Sequence, residues 1–296
     1  MTNLKKSSLK VFIIIINYNN AKDTIECIKS IRRQNYSNYE IVVVDNASED
    51  DSVLKIKEND KSVIIIKSSK NLGFSGGNNI GIKYALSHDA EAIMFLNNDT
   101  IVENDCLRKM ILKLTYNKVI CPRIMFWDDK TLIWYAGGKL DKVSGHCISF
   151  GYRKKLASKY MKEGETNAIT GCCLLMTRET FLDIGQWSEE FFLYREDDDY
   201  TLRILQKGIH ILYVPEAVIF HKESRSTKKK GIHILQYYFT RNTFYLIKKY
   251  KLGIIPYMRL LNITIIKYFL NINNEKNYYL EAFKDYRGNR MGKKFD

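Results

Sequence analysis

The chain has 296 residues, 45% of them hydrophobic, only 3 prolines and a formal net charge of +14. That supports one large α/β domain with an appendage, or two domains, and excludes long disorder, low complexity and solenoid repeats. The charge is lopsided: from Lys222 onward 17 Lys/Arg face 5 Asp/Glu, or +12, whereas the first 221 residues hold 30 against 28, or +2. A basic partner surface therefore belongs to the tail. Six cysteines (Cys27, Cys106, Cys121, Cys147, Cys172, Cys173) include no C-x-x-C pair, which argues against structural zinc and fits reduced thiols in a cytosol. Residues 1–10 are polar and 11–16 too short for a secretory signal. The longest candidate span, 252–272, is interrupted by Pro256, Arg259 and Lys267 and reads as an interfacial or packed helix.

Residues 11–16 are apolar and mostly β-branched, the pattern of a strand buried on both faces. They end in Asn17-Tyr18-Asn19-Asn20, and 23–33 follow with Ile25, Ile28 and Ile31 at helical spacing. A second strand over 39–44 ends in the polar stretch 45–52, a helix starts over 53–58, and a third strand covers 63–67. Residues 71–79 read as a glycine-rich loop, followed by a helix over 80–86. The central strand, 92–96, stops at Asn97-Asn98-Asp99-Thr100. This alternation predicts a parallel sheet with right-handed crossovers. Three strands ending in polar carboxyl-edge loops have the layout of a nucleotide site. Asp99 and the neighbouring amide oxygens suit a hard divalent cation that also holds phosphate. They equally suit a turn in which Asp99 or Thr100 caps a helix. The glycines either make a turn or let backbone N–H groups approach a ligand. With no Walker lysine and no G-x-G-x-x-G after the first strand, a P-loop or dinucleotide site fits poorly.

The second half continues with a strand over 119–126, a hairpin over 132–150 around Gly137-Gly138 and Ser144-Gly145, a strand over 168–176 carrying Gly171, and a short helix over 179–184. Glu196-Asp197-Asp198-Asp199 are four consecutive acids that repel one another. A helix start accommodates them, and a helix over 200–207 follows. Successive side chains diverge there, so only one or two acids can face the sheet edge. Strands over 209–214 and 218–220 flank Pro215-Glu216-Ala217 and lead to His221, which is either a structural residue or a ligand. A basic linker occupies 222–230, and an aromatic amphipathic helix 236–250. The remainder, with Lys/Arg beside apolar residues, suits either an anionic membrane surface or a solvated helical cap with a basic face.

Residues 11–20 (VFIIIINYNN), 42–52 (VVVDNASEDDS), 71–85 (NLGFSGGNNIGIKYA), 93–100 (IMFLNNDT), Tyr135-Ala136-Gly137-Gly138, Thr170-Gly171 and 191–221 (FFLYREDDDYTLRILQKGIHILYVPEAVIFH) resemble the family 2 glycosyltransferases, above all the bacterial and archaeal branch with rhamnosyltransferases and galactofuranosyltransferases. The resemblance fades after Asn242. It implies a GT-A fold, a Rossmann-like, mostly parallel α/β sheet with a smaller mixed sheet. The expected division is a transferase domain over 1–225 and a basic amphipathic helical extension over 226–296. The implied activity is inverting transfer of a sugar from a nucleoside diphosphate donor, dTDP-rhamnose or a UDP-hexose, to a saccharide or lipid-linked acceptor in cell-surface polysaccharide synthesis.

By the same resemblance, Asn17, Tyr18, Asn19 and Asp45 hold base and ribose, and Asn71, Gly73, Gly76, Asn79, Asn97 and Asn98 complete the donor site. Asp99 belongs to the D-x-D metal motif, with Asn97 standing where many relatives carry Asp. His221 joins Asp99 in holding Mn²⁺ or Mg²⁺. Asp197, in the acidic E-D-x-D motif, is the base, Gly171 and Glu196 serve the acceptor, and Asp199 is grouped with them as a support that orients the helix or a Lys/Arg partner. The basic linker corresponds to a mobile loop over the donor. The protein is expected in the cytoplasm, peripheral on the inner membrane face, and not on nucleic acid. Two competing readings are a nucleotidyltransferase, which needs a Gly-rich motif with Arg and Lys directly after the first strand, and a nucleic-acid-binding protein, whose phosphate partner the acidic centres would repel.

Overall fold

A computed structural model describes residues 8–223, 232–270 and 278–295. The first half alternates strand and helix: β1 (Val11–Asn17), α1 (Ala21–Arg32), β2 (Tyr39–Asp45), α2 (Ser52–Asn59), β3 (Ile64–Lys67), α3 (Gly73–Ser87) and β4 (Ala92–Leu96). The strands lie parallel in the order β3-β2-β1-β4, with Asn17 opposite Asp45 at the carboxyl edge. Phe12, Ile14, Ile15, Val42 and Phe95 are fully buried, as expected of strands covered on both faces.

The next elements are β5 (Thr100–Val102), α4 (Cys106–Lys113), β6 (Lys118–Phe126), β7 (Ile133–Tyr135), β8 (Gly138–Asp141), β9 (His146–Ser149), β10 (Gly164–Thr166), β11 (Cys173–Thr177), α5 (Arg178–Ile184), α6 (Glu196–Gln206) and β12 (His210–His221). β11 runs antiparallel to β4 and extends the sheet in the order β4-β11-β6-β12-β10. β8 and β9 make a separate antiparallel hairpin that turns at Ser144-Gly145. Three helices close the chain: α7 (Ile232–Lys249), α8 (Ile254–Leu270) and α9 (Tyr278–Arg287). α7 packs on the α/β domain through Tyr238 against Phe192, and α9 packs on α7.

Four expectations need correction. Residues 73–79 are not a loop but the first two turns of α3. Glycine's poor helix propensity hides this helix, yet the glycines are what let it lie on β1. A Cβ on Gly77 would sit 3.0 Å from Ile16, and one on Gly81 2.5 Å from Ile14. The strand carrying Gly171 begins only at Cys173, because residues 167–172 turn toward the acidic helix. The helix expected over 200–207 starts at Glu196, so all four acids lie inside its first turn. β12 runs through Pro215, which has no N–H for a ladder. A bulge there advances four residues, from Val214 to Val218, against the single step from Pro122 to Arg123 on β6.

The basic stretch 224–230 lies outside the described residues. Lys222, at its start, forms ion pairs with Asp23 and Glu26 of α1.

Candidate active site

The ends of β1, β2 and β4 are joined by a relay of side chains. Asn17 Nδ2 donates to Asp45 Oδ1 at 3.0 Å, and Asn17 Oδ1 accepts from Thr24 Oγ1 at 2.8 Å. Thr24 Oγ1 in turn accepts from Asn98 Nδ2 at 2.9 Å. Asp45 Oδ2 takes the Ser48 N–H at 3.1 Å. Asn19, left-handed at φ 50°, accepts from the Glu49 N–H at 2.8 Å. Buried Asn46 grips the next segment, donating to Gly73 O at 2.9 Å and accepting from the Leu72 N–H at 2.9 Å. Gly73 has φ +70°, and a Cβ there would lie 2.0 Å from Phe192 O, so only glycine fits.

These supports shape a cavity of about 210 Å³ whose wall includes Tyr18, Asn71, Gly73, Asn97, Asn98 and Asp99. Asn17 and Asp45 are buried behind that wall, and exposed Asn19 does not line it either. Two more residues expected at the donor do not reach the cavity. A Cβ on Gly76 would meet Leu72 at 2.6 Å, so this glycine serves packing. Asn79 donates to Trp187 O at 3.0 Å and accepts from its N–H at 3.0 Å, which turns its amide to the opposite side of α3.

A second cavity of about 640 Å³ adjoins the first, and Phe74, Asn97, Asp99, Leu193 and Leu235 line both. At the junction His221 Nε2 lies 3.2 Å from Asp99 Oδ1. β12 delivers the histidine opposite Thr100, and the Lys222 N–H donates to Asp99 O at 2.9 Å. The edge of Trp134 packs against the imidazole at 4.6 Å between centroids. Two ligands in adjacent positions of an octahedral ion are about 3 Å apart when each bond is roughly 2.1 Å. The Asp99–His221 spacing therefore fits one shared divalent ion. Among the described residues no group of three His, Cys, Asp or Glu meets there, so diphosphate and water would have to complete the coordination.

The acidic helix opens on this second cavity. Tyr194 and Arg195, at φ 66° and 73°, turn the chain sharply into α6. Glu196 and Asp197 face the cavity. Asp198, at its wall, accepts from the Cys147 N–H at 3.0 Å and pairs with Arg195 at 3.1 Å. Asp199, grouped with the acceptor site, points away from the cavity and takes the supporting part expected of it, on Arg and Lys partners. It is fully buried among Ser188 Oγ (2.8 Å), Arg203 Nε (3.0 Å), Tyr250 OH (2.8 Å) and Lys249 Nζ (2.9 Å). The cause is the helical rotation of successive side chains. Asp197 is pushed up to about 6, first by burial and then by the Asp198 charge. Arg195 and the N–H groups of Asp198 and Gly171 oppose the rise. Burial, then the Asp197 charge, raises Glu196 well above the usual carboxylate range, and its Oε2 has no hydrogen-bond partner among the described residues. Gly171 does more than leave room: its N–H supports Asp197, and a Cβ would strike the Phe74 ring at 2.9 Å.

Asn46, Phe74 and Trp134 are not singled out by the sequence. Only Asn46 carries a local signal, as the polar residue directly after Asp45 at a strand end.

The model of glycosyl transferase family 2 matches residues 12–185. The chain belongs to that family. It is therefore a glycosyltransferase with inverting chemistry, and its sheet is a GT-A fold. Among curated relatives it is similar to the dTDP-rhamnosyl transferase RfbF of Shigella flexneri, with 27% identity over 280 residues and 90% of each chain covered. It also matches rhamnosyltransferase WbbL of Escherichia coli, 26% identical over 75% of this chain and 88% of that one. The glycan-biosynthesis hexosyltransferase Agl10 of Haloferax volcanii is 29% identical over 67% of this chain and 62% of its own. Among solved structures, GalNAc-T7 with UDP, GalNAc and Mn²⁺ superposes with a TM-score of 0.59 at 16% identity, over 79% of this chain and 50% of that one. The mannosyltransferase PcManGT of Pyrobaculum calidifontis, in complex with GDP-Man and Mn²⁺, gives 0.57 at 15% identity, over 94% and 75%.

Proposed function

We propose that the enzyme moves a sugar, rhamnose from dTDP-rhamnose first among the candidates, onto a saccharide or lipid-linked acceptor during cell-surface polysaccharide synthesis. The observation that carries this reading is the meeting of two cavities at Asp99 and His221, with Asp197 on the far side of the junction. The smaller cavity takes the nucleoside against Tyr18 and Asn71, with Asp45 and Asn17 fixing its floor. The diphosphate then lies toward Asp99. Asp99 and His221 would hold a divalent ion, Mn²⁺ or Mg²⁺, which neutralises charge on the departing diphosphate.

The acceptor occupies the larger cavity beside Glu196 and Gly171. Its hydroxyl oxygen attacks the anomeric carbon from the face opposite the diphosphate. The bond to the diphosphate oxygen breaks with its electron pair, and the hydroxyl proton passes to Asp197. A carboxylate near 6 is a stronger base than an ordinary aspartate and is still mostly ionised at neutral pH. The rhamnosyl preference draws on the relatives' names.

Residues 226–296 form the extension in this reading, and 1–225 the transferase. No described helix is long and apolar enough to cross a membrane. α8 exposes Ile255 (65%) and Phe269 (74%), and it belongs to the stretch from Lys222 onward that carries a net +12. Both features support peripheral contact with an anionic membrane.

The test is a donor panel of dTDP-rhamnose, UDP-galactose, UDP-glucose and UDP-N-acetylglucosamine, scored for slow hydrolysis with and without Mn²⁺. A single-stranded DNA titration runs alongside. One donor should be hydrolysed well above the rest, and faster with metal. DNA binding with no donor turnover would overturn the reading.

A further inference from the structure

Arg241 and Asn242 are among the most deeply buried polar residues of the chain, 1% and 0% exposed, although they belong to the C-terminal extension. Both Asn242 Nδ2 hydrogens are used on one short segment, donating to Leu193 O at 2.9 Å and Tyr194 O at 2.8 Å. The amide cannot be turned over, because Arg241 Nε, which can only donate, points at Asn242 Oδ1 at 3.0 Å. Arg241 is itself fixed between the rings of Tyr237 and Tyr238, at 5.2 and 5.1 Å. Tyr237 OH is anchored on Asp285 of α9 at 2.6 Å.

The gripped segment is the strained one. Tyr194 and Arg195 are consecutive non-glycine residues in the left-handed region, which isolated chains avoid. Asp197 follows two residues later. α7 holds this turn at further points: Thr243 Oγ1 accepts from Arg195 Nε at 2.9 Å, and Phe239 lies under the Arg195 guanidinium at 4.8 Å.

We propose that Asn242, oriented by Arg241, is a positioning residue that holds the left-handed turn at Tyr194-Arg195 and so aims Asp197 into the acceptor cavity. Asn242 thereby reaches the chemistry from outside the lining of either cavity. This rests on the reading of Asp197 as the base, so the test carries Asp197→Asn as a separate control.

Asn242→Asp keeps the shape and removes both donors. Measured with the donor that the panel selects, kcat for transfer should fall about 10–100-fold, while donor KM and UDP or dTDP affinity stay within about twofold. The acid limb of the kcat–pH profile should move to higher pH, because a loosened Arg195 compensates Asp198 less. The groups facing Asp197 are Glu196, Asp198 and Arg195 on its own segment, Cys147 on β9, and Asp99, His221 and Glu223 across the cavity. Thr243→Val, which removes only the Arg195 contact, should shift kcat and the limb the same way by less. It carries the test if Asn242→Asp does not fold.

An unchanged kcat and limb in a folded variant overturns the proposal. So does an equal loss of kcat and nucleotide affinity, the mark of a merely structural role. If Asp197→Asn retains transfer, the base assignment fails on its own, whatever Asn242 does.

Discussion

The donor end and the acceptor end of this site are built on opposite plans. At the donor end the polar groups that shape the cavity come from neighbouring strand ends and answer one another within the sheet edge, as Asn17 does for Asp45 and Asn46 for Gly73. Where that end needs a left-handed residue beside Phe192, the chain supplies glycine. At the acceptor end a left-handed turn is made from tyrosine and arginine, four acids share one helical turn, and restraint comes from a helix some 45 residues further on. Donor support is thus local, even though Asn19 and Ala47 are left-handed there as well. The acceptor side stores strain and repulsion and depends on distant contacts, as sites that tune a pKa commonly do.

The sharpest way to break this contrast is Asp197→Asn. Transfer should fall about 10²–10⁴-fold, with nucleotide affinity unchanged. If the loss appears instead in nucleotide binding, the two ends are not separable. The same substitution should stabilise the fold at neutral pH. The folded pKa, about 6, lies above the unfolded value of 3.8. Ionisation therefore costs folding energy, which is absent below the unfolded pKa and complete above the folded one, on the order of 2–3 kcal/mol. Thermal melts of wild type and variant should converge near pH 3.5 and separate by a few degrees at pH 7.

A smaller effect separates the donor residues. Asp99→Ala should weaken UDP or dTDP about 10–100-fold in Mn²⁺ and hardly at all in EDTA, whereas Asp45→Ala should weaken it in both. Identical metal dependence in the two variants, read by calorimetry, would erase the distinction between relay and junction. Next, transfer by the wild type should rise with pH through about 6 as Asp197 ionises, while nucleotide affinity stays flat over that range. The smallest effect concerns α8: Ile255→Glu with Phe269→Glu should reduce binding to phosphatidylserine-containing vesicles several-fold and leave donor hydrolysis intact. Unchanged vesicle binding would return the extension to a solvated cap.

Legibility from sequence follows the same divide. The strands announce themselves as β-branched runs that stop at Asn or Asp, so β1, β2 and β4 and their polar ends could be read directly. Helix α3 was hidden because its glycines are chosen for closeness to Ile14 and Ile16, and that choice overrides propensity. The acids at 196–199 were visible as a cluster. Which of them faced the cavity depended on the phase of a helix whose first residue was placed at Tyr200 rather than Glu196. Arg241-Asn242 resembles a pair recurrent in the family, but its role could not be read from sequence, since a contact from α7 to a turn near residue 194 has no local pattern.

The bulge at Pro215 insulates the Asp99–His221 spacing from the strand before it. β12 is locked beside β6 before the irregularity and again after it, and its distal end also pairs with β5, so a residue gained or lost within 215–217 would be taken up in the bulge. A slip of the distal register by one residue would instead turn the imidazole to the opposite face of the sheet, away from Asp99. The segment works as an expansion joint that absorbs insertions and deletions while the gap between carboxylate and imidazole is kept.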